Sequence, residues 1–168
     1  MEKQVDSYRF ITGITRRMVK TWVGLEKPRA IPWTPLTKAL SKCTVAMIVS
    51  AGMALKSDRP FDQEGERSNP WWGDPSYRVI PCNATERDVS FYHMHINPAY
   101  ALQDLNSMLP LGRLLELENA KMIGRSAARH YSIMGYLLQP EQMLCESVPA
   151  IIEKLRQDQV DLVLMVPV

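Results

Sequence analysis

The apolar positions of this chain repeat with a helical period near its start and with a strand period further on. In residues 7–23, SYRFITGITRRMVKTWV, the positions Ile11, Ile14, Met18 and Trp22 recur at helical spacing ahead of Gly24. That spacing predicts an amphipathic helix packed on another surface and stopped by the glycine. Thr34 followed by Pro35 offers a capping hydroxyl and a proline at the first helical position, so a short helix to Ser41 is predicted. Residues 43–50, CTVAMIVS, then read as a buried strand, with Ala51 and Gly52 turning out of it. Residues 56–76 are polar, contain prolines and have no periodicity. A loop longer than about 12–15 residues in a compact domain is usually functional or disordered. Trp71 and Trp72 favour a loop pinned to the body or to a partner.

Further along, residues 77–81 read as a short strand, and residues 88–96, DVSFYHMHI, as a second with period-two patterning. Alternation puts Val89, Phe91, His93 and His95 on one face of it. Asn97 and Pro98 form another cap-plus-proline start, and ALQDL and LGRLLELENA supply two short helices divided at Pro110. Residues 123–131 read as a strand at a sheet edge, and 141–158 as a helix interrupted or restarted at Ser147 and Pro149. The final run, DLVLMVPV at 161–168, has the β-branched, nearly unbroken apolar character of a strand buried on both faces at the centre of a parallel sheet. Strands alternating with helices predict an α/β fold, a mainly parallel sheet flanked by helices. The organisation expected is a helical segment over 1–42 and a single α/β domain over 43–168, whose completeness the last strand leaves open. Open α/β sheets place ligands just beyond the carboxyl ends of their strands. The residue that would follow Val168 is therefore expected at the reactive crevice.

Composition narrows the function. A hydrophobic content of 46% excludes a disordered chain, and a net charge of +2 gives no argument for nucleic acid. The charge is uneven: residues 1–42 hold nine Lys or Arg against three Asp or Glu, and the remainder is acidic. A basic face of this kind serves as a solvated surface or meets an acidic partner. Cys43, Cys82 and Cys145 form neither a CxxC pair nor an even framework, which points to a reducing compartment. With no long uncharged apolar stretch and no secretory signal core, neither membrane spanning nor export is expected, and the chain reads as cytoplasmic. No Gly-rich phosphate loop, GxSxG or HExxH motif is present.

Three groups of residues are candidates for chemistry. His93 and His95, two apart on a strand, would project from one face about 7 Å apart, and His130 could complete a three-histidine metal site with an open position. A hydrogen-bonded structural pair or an anion site competes with that reading. Lys56, Asp58 and Arg59 follow the first strand, and Arg78, Arg129 and His130 add positive groups at strand ends. Arginine is suited to bidentate recognition of a substrate carboxylate. Cys82, at another strand end, is a candidate nucleophile if a neighbouring cation lowers its pKa. Cys43 and Cys145 look structural.

Several segments resemble one family in order and spacing: VAMIVSAGMALKSDRPFD at 45–62, GDPSYRVIP at 73–81, HMHIN at 93–97, LPLGRLLEL at 109–117, IGRSAARHYSIMGY at 123–136 and VDLVLMVPV at 160–168. They are similar to the selenoprotein B family of glycine, sarcosine and betaine reductases, which includes the small subunit of D-proline reductase. The resemblance covers about residues 43–168. It implies that the strand matching DLVLMVPV leads into a segment bearing selenocysteine or cysteine, which attacks a substrate carbon and displaces an amine activated by a pyruvoyl-containing partner subunit. It implies a cleft for a small carboxylate or amine substrate shaped by Lys56, Asp58, Tyr77, Arg78, His93, His95, Arg129, His130 and Tyr131. It implies too that these 168 residues are inactive alone. The alternative reading is a histidine-based module for a metal or small ligand. A selenocysteine codon read as a stop, a natural half-protein or a deliberately shortened chain would each account for the ending. HMHIN and the stretch SNPWWGDPS depart from the family pattern, which leaves the substrate open. A homo-oligomer through the unpaired edge of the last strand is also expected.

Overall fold

A computed structural model describes residues 13–25, 30, 32–69 and 71–168. The chain divides into two compact units, residues 1–35 and 36–168. The first contains helix α1 (Gly13–Leu25). Ile14 and Met18 on its predicted apolar stripe are exposed, and Ile11 lies outside the described residues.

The second unit is built around β1 (Thr44–Val49), whose burial is nearly complete. No helix begins at Thr34. Only a 3₁₀ turn at Leu40–Lys42 forms, because every described residue from 32 to 42 is exposed and a short helix with no face to bury is unstable in water. After β1 the chain passes Gly52, which adopts φ +56°, into β2 (Met53–Leu55). The long polar segment is partly ordered by α2 (Gln63–Ser68), capped by the Asp62 carboxylate, which accepts from the Gly65 amide. Trp72 packs against Gly65 so closely that a Cβ there would sit 2.5 Å from the indole, whereas Trp71 is exposed. One of the two tryptophans therefore pins the loop, as the pattern suggested.

β3 (Tyr77–Pro81) falls where it was expected. β4 (Val89–Phe91) is shorter than predicted. It pairs antiparallel with β2 as a separate two-stranded sheet, and the Tyr92 amide donating to Gly52 O closes that ladder. His93 and His95 thus lie in the turn after the strand rather than on its face. A 3₁₀ turn at Leu105–Ser107 precedes α3 (Leu111–Asn119), which starts after Pro110. β5 (Arg125–Ser126) and β6 (Arg129–Ile133) pair in succession with the same neighbour, β1. β6, paired with β1 and β3, is interior to the sheet, whereas β5 pairs only with β1 and ends the strand order, so the edge expected over 123–131 holds for its first part alone. A π-helical stretch, Met143–Ser147, runs into α4 (Val148–Gln157), with Pro149 in its first turn. β7 (Leu162–Val166) ends the set.

The fold is mixed α/β. β1 pairs parallel with β5, β6 and β7, whereas β3 runs antiparallel to β6. The expectation of a mainly parallel sheet is corrected by β3 and by the β2–β4 pair: a parallel centre carries antiparallel additions. β7 pairs only with β1 among the described residues, and Leu164 and Met165 are exposed. The central position expected of β7 belongs to β1. An apolar run marks a strand without saying how many neighbours it has. Val45, Met47 and Val49 of β1 share one core with Leu105, Leu109, Leu111 and Leu114.

Candidate functional site

The chain converges at the carboxyl end of β1. Ser50 follows the strand, and its amide donates to Val166 O of β7 at 3.2 Å. Its hydroxyl oxygen accepts the amide of Val168 at 2.9 Å. On the opposite side Ala51 bridges to Met134, and the Gly52 amide donates to Ile133 O at 2.9 Å. Gly52 takes its positive φ while its Cα faces Met134 and the His93 amide, so two constraints require glycine there. Gly135 is needed for space: a Cβ would lie 2.6 Å from Ser50 O and 3.0 Å from His93 Nε2. Gly135 therefore meets Ser50 and His93, while Val168 meets Ser50 from the β7 side.

Around them the turn after β4 is organised by its own side chains. His93 Nδ1 accepts the amide of His95 at 3.2 Å. In the neutral imidazole this bond assigns the proton to Nε2, the nitrogen next to Gly135. Burial, followed by the neighbouring His95, holds the His93 pKa below the usual histidine range, so the neutral ring is the form at pH 7. The two imidazoles stand nearly perpendicular with centroids 5.8 Å apart, and His95 lies 4.6 Å from the Tyr136 ring. On its other flank His95 Nε2 is 3.1 Å from Glu66 Oε1 of α2. Glu66 is only 2% exposed. Its carboxylate makes no well-aligned hydrogen bond, so the His95 contact is one of ion-pair distance alone.

The remaining predicted residues are distributed elsewhere. Lys56 follows β2 at the far end of the β2–β4 ladder from His93, and its ammonium donates to Arg87 O. Asp58 and Arg78 line a hollow of about 460 Å³ together with Asp62, Asp74 and Glu146; Ser50 and His93 are not part of it. The Arg78 guanidinium donates to Arg59 O, Pro60 O, Ser76 Oγ and Tyr77 O and lies over the Phe61 ring, so its donors serve the loop. Tyr77 packs against Tyr131, which is fully buried with an unpartnered hydroxyl and a pKa raised by burial. Arg129 opens β6 at the amino end of the parallel strands, where it pairs with both carboxylate oxygens of Asp158 at 2.6 and 2.7 Å. Cys82 is exposed at that same end, since β3 runs the other way, and borders a hollow with Arg125 and Asp158. Strand ends seen in a sequence do not reveal which end of the sheet they reach.

His130 is fully buried, with Nδ1 accepting the Met47 amide at 3.0 Å and Nε2 3.2 Å from Ser126 Oγ. With both nitrogens engaged, it does not join His93 and His95 as a ligand. Among the described residues no group of three or more His, Cys, Asp or Glu is arranged to hold a metal. Nor is any described helix long and apolar enough to cross a membrane.

The model of glycine/sarcosine/betaine reductase selenoprotein B matches residues 9–168. The chain belongs to that family. It is 31% identical over 133 residues to the D-proline reductase subunit gamma of Acetoanaerobium sticklandii, covering 79% of this chain and 52% of that protein. It is 29% identical over 105 residues to the glycine reductase complex component B subunit gamma of Carboxydothermus hydrogenoformans, covering 62% and 23% respectively. The chain thus spans about half the length of the first relative and about a quarter of the second. No solved structure is significantly similar. In this selenoprotein B family member Ser50 and His93 lie against Gly135, and His95 and Glu66 against each other. Of these the sequence pattern singled out only the histidines. Ser50 and Gly135 were legible only as a strand end and a glycine, and Glu66 looked like one more charge in a polar loop.

Proposed function

We propose that this chain forms the substrate cleft of a selenoprotein-B-type reductase subunit, at the carboxyl end of β1. The observation that carries the reading is the hydrogen bond from the Val168 amide to Ser50 Oγ, which ties the exit of β7 to Ser50, the residue whose carbonyl lies against Gly135. Ligands of open α/β sheets bind outside the carboxyl ends of the strands. A selenocysteine or cysteine beyond Val168 would enter this cleft and supply a nucleophile for a substrate carbon, with departure of an amine. The residues present fit such a group. The Nε2–H of neutral His93 is a donor for an anionic sulfur or selenium, and a nearby hydrogen-bond donor favours the anion over the protonated form. Met134 and the buried wall behind Gly52 limit access of water from that side.

On this reading the substrate is a small amine or amino acid. The subunit works in the cytoplasm beside a pyruvoyl-type or redox partner. The unpaired edge of β7 is a site for self-association or for that partner. The test is to read the native gene beyond the Val168 codon and to measure the mass and selenium content of the native protein. A longer product with selenocysteine or cysteine shortly after Val168 is expected. A native product ending at Val168, with an ordinary stop codon and no following frame, contradicts the reading.

A further inference from the structure

The amino ends of the parallel strands carry more positive charge than the fold uses. A hollow of about 660 Å³ opens there, lined by Lys38, Lys42, Arg125 and Arg156, with Asp161 as the one acid and Val160 as the one aliphatic side chain in its wall. Lysine and arginine are cationic across the neutral range, so these charges need no special environment. Asp161 is already engaged: both its oxygens accept from the Lys38 ammonium, at 2.7 and 2.8 Å, and one also accepts the Thr44 amide. Asp158, which borders a neighbouring hollow with Arg125, is held by two hydrogen bonds from Arg129. Arg125 itself donates through Nε to Thr44 Oγ1 at 3.0 Å, which fixes the guanidinium and leaves its two terminal nitrogens for a ligand. Among the described residues neither the Lys42 ammonium nor the Arg156 guanidinium has a partner. Three cations are left without a counter-charge.

They come from three separate elements. Lys42 ends the turn before β1, Arg125 opens β5, and Arg156 lies in the last turn of α4. Gly124 sets the first two side by side, because a Cβ there would stand 2.6 Å from the Lys42 carbonyl carbon and 2.8 Å from Cys43 O. Gln159, which also lines the hollow, holds φ +54°, an uncommon conformation for a residue with a side chain. Like charges gathered on rigid backbone destabilise the folded chain by their repulsion. A bound anion offsets that repulsion.

We infer that this hollow binds a phosphoryl group, as free phosphate or borne on a small polar molecule, with Lys42, Arg125 and Arg156 as its receptors. A phosphoryl group spreads about two negative charges over three acceptor oxygens, and the planar fork of arginine matches them. A monocarboxylate would leave most of the positive charge unanswered. With a single aliphatic side chain in the wall there is no surface for an aromatic or acyl portion, so the remainder of any ester is polar. The hollow lies at the end of the sheet opposite the cleft proposed above and is independent of that reading.

The experiment measures the thermal midpoint of the full 168-residue chain against inorganic phosphate, glycerol 3-phosphate and succinate, each compared with sodium chloride at equal ionic strength. A ligand that binds only the folded chain raises the midpoint with its concentration. Phosphate and glycerol 3-phosphate are expected to raise it, and succinate, whose two charges lie farther apart, is not. Tighter binding of the ester assigns the site to a phosphorylated metabolite; equal or weaker binding assigns it to the free ion. Lys42→Gln and Arg156→Gln, at exposed side chains, are each expected to weaken phosphate about tenfold. Both are expected to keep or raise the midpoint in its absence, because repulsion is relieved. Arg113→Gln, the same charge change on α3, is expected to keep the parent affinity. A parent chain that phosphate stabilises no more than chloride overturns the inference. So does succinate binding as tightly as phosphate, or a phosphate affinity unchanged in either variant.

Discussion

Replacing Gly135 by alanine is expected to dismantle the cleft. The added methyl would stand 2.6 Å from Ser50 O and 3.0 Å from His93 Nε2. The first of these neighbours is backbone at the end of the central strand and cannot rotate away. Either β1 gives at Ser50, which breaks the contact with Val168, or the 134–136 segment moves out and carries Tyr136 away from His95. Overpacking of this kind costs about 1–3 kcal/mol, and a displacement near 1 Å at a site can cost about 10²-fold in activity. The check is urea unfolding together with the His93 ring resonance. A loss of 1–3 kcal/mol with a large change at His93 is expected for Gly135→Ala. Gly24→Ala is the control, because a Cβ there meets nothing within 4 Å, and it is expected to leave His93 unmoved.

The second large effect is a pH dependence of stability seated at His130. Burial pushes its pKa down to about 4 from the ordinary 6.5. Between those values the unfolded chain binds a proton that the folded chain excludes, so stability is complete above pH 6.5 and declines as the pH falls toward 4. The full window corresponds to about 3 kcal/mol. His93, also lowered, acts in the same direction. Asp158 and Asp161 are depressed by Arg129 and Lys38, and their contributions disappear only below the ordinary carboxylate value of 3.8. Denaturant midpoints measured from pH 7 to 4 are therefore expected to fall with a slope that His130→Asn reduces. That variant keeps an acceptor for the Met47 amide and removes the titrating ring. An unchanged slope would assign the dependence to other groups.

His130 also illustrates what a sequence conceals. As one of three histidines it invited a ligand role, yet its Nδ1 takes the place of a backbone carbonyl for Met47 where β5 gives way to β6. No periodicity announces such an interruption. The strands themselves were legible from β-branched content, and β1 and β3 lie where the pattern put them. Their directions were not legible, and direction decides which strand-end residues share a site. Arg129 and Cys82 look in sequence like neighbours of the crevice and lie at the opposite end of the sheet because of it. His93 and His95 were found for a reason that did not hold, since alternation along a strand was to bring them together and a turn does so instead. Glu66 was hidden because a carboxylate in a polar loop is ordinarily solvated. Only the packing of Trp72 against Gly65 and the Gln63–Tyr92 bond turn it inward.

The proposed function rests on one claim, that the residue emerging from β7 meets His93 at the end of β1. On the proposed reading, in which a cysteine or selenocysteine follows Val168, the most direct measurement is the rate at which iodoacetamide alkylates that residue in the native protein, followed against pH with and without His93→Leu. The account predicts that His93→Leu, which has no N–H, raises the pH at which the anion forms and slows alkylation at neutral pH severalfold, because the donor to the anion is gone. A pH profile identical in the two proteins would place the nucleophile elsewhere and contradict the account.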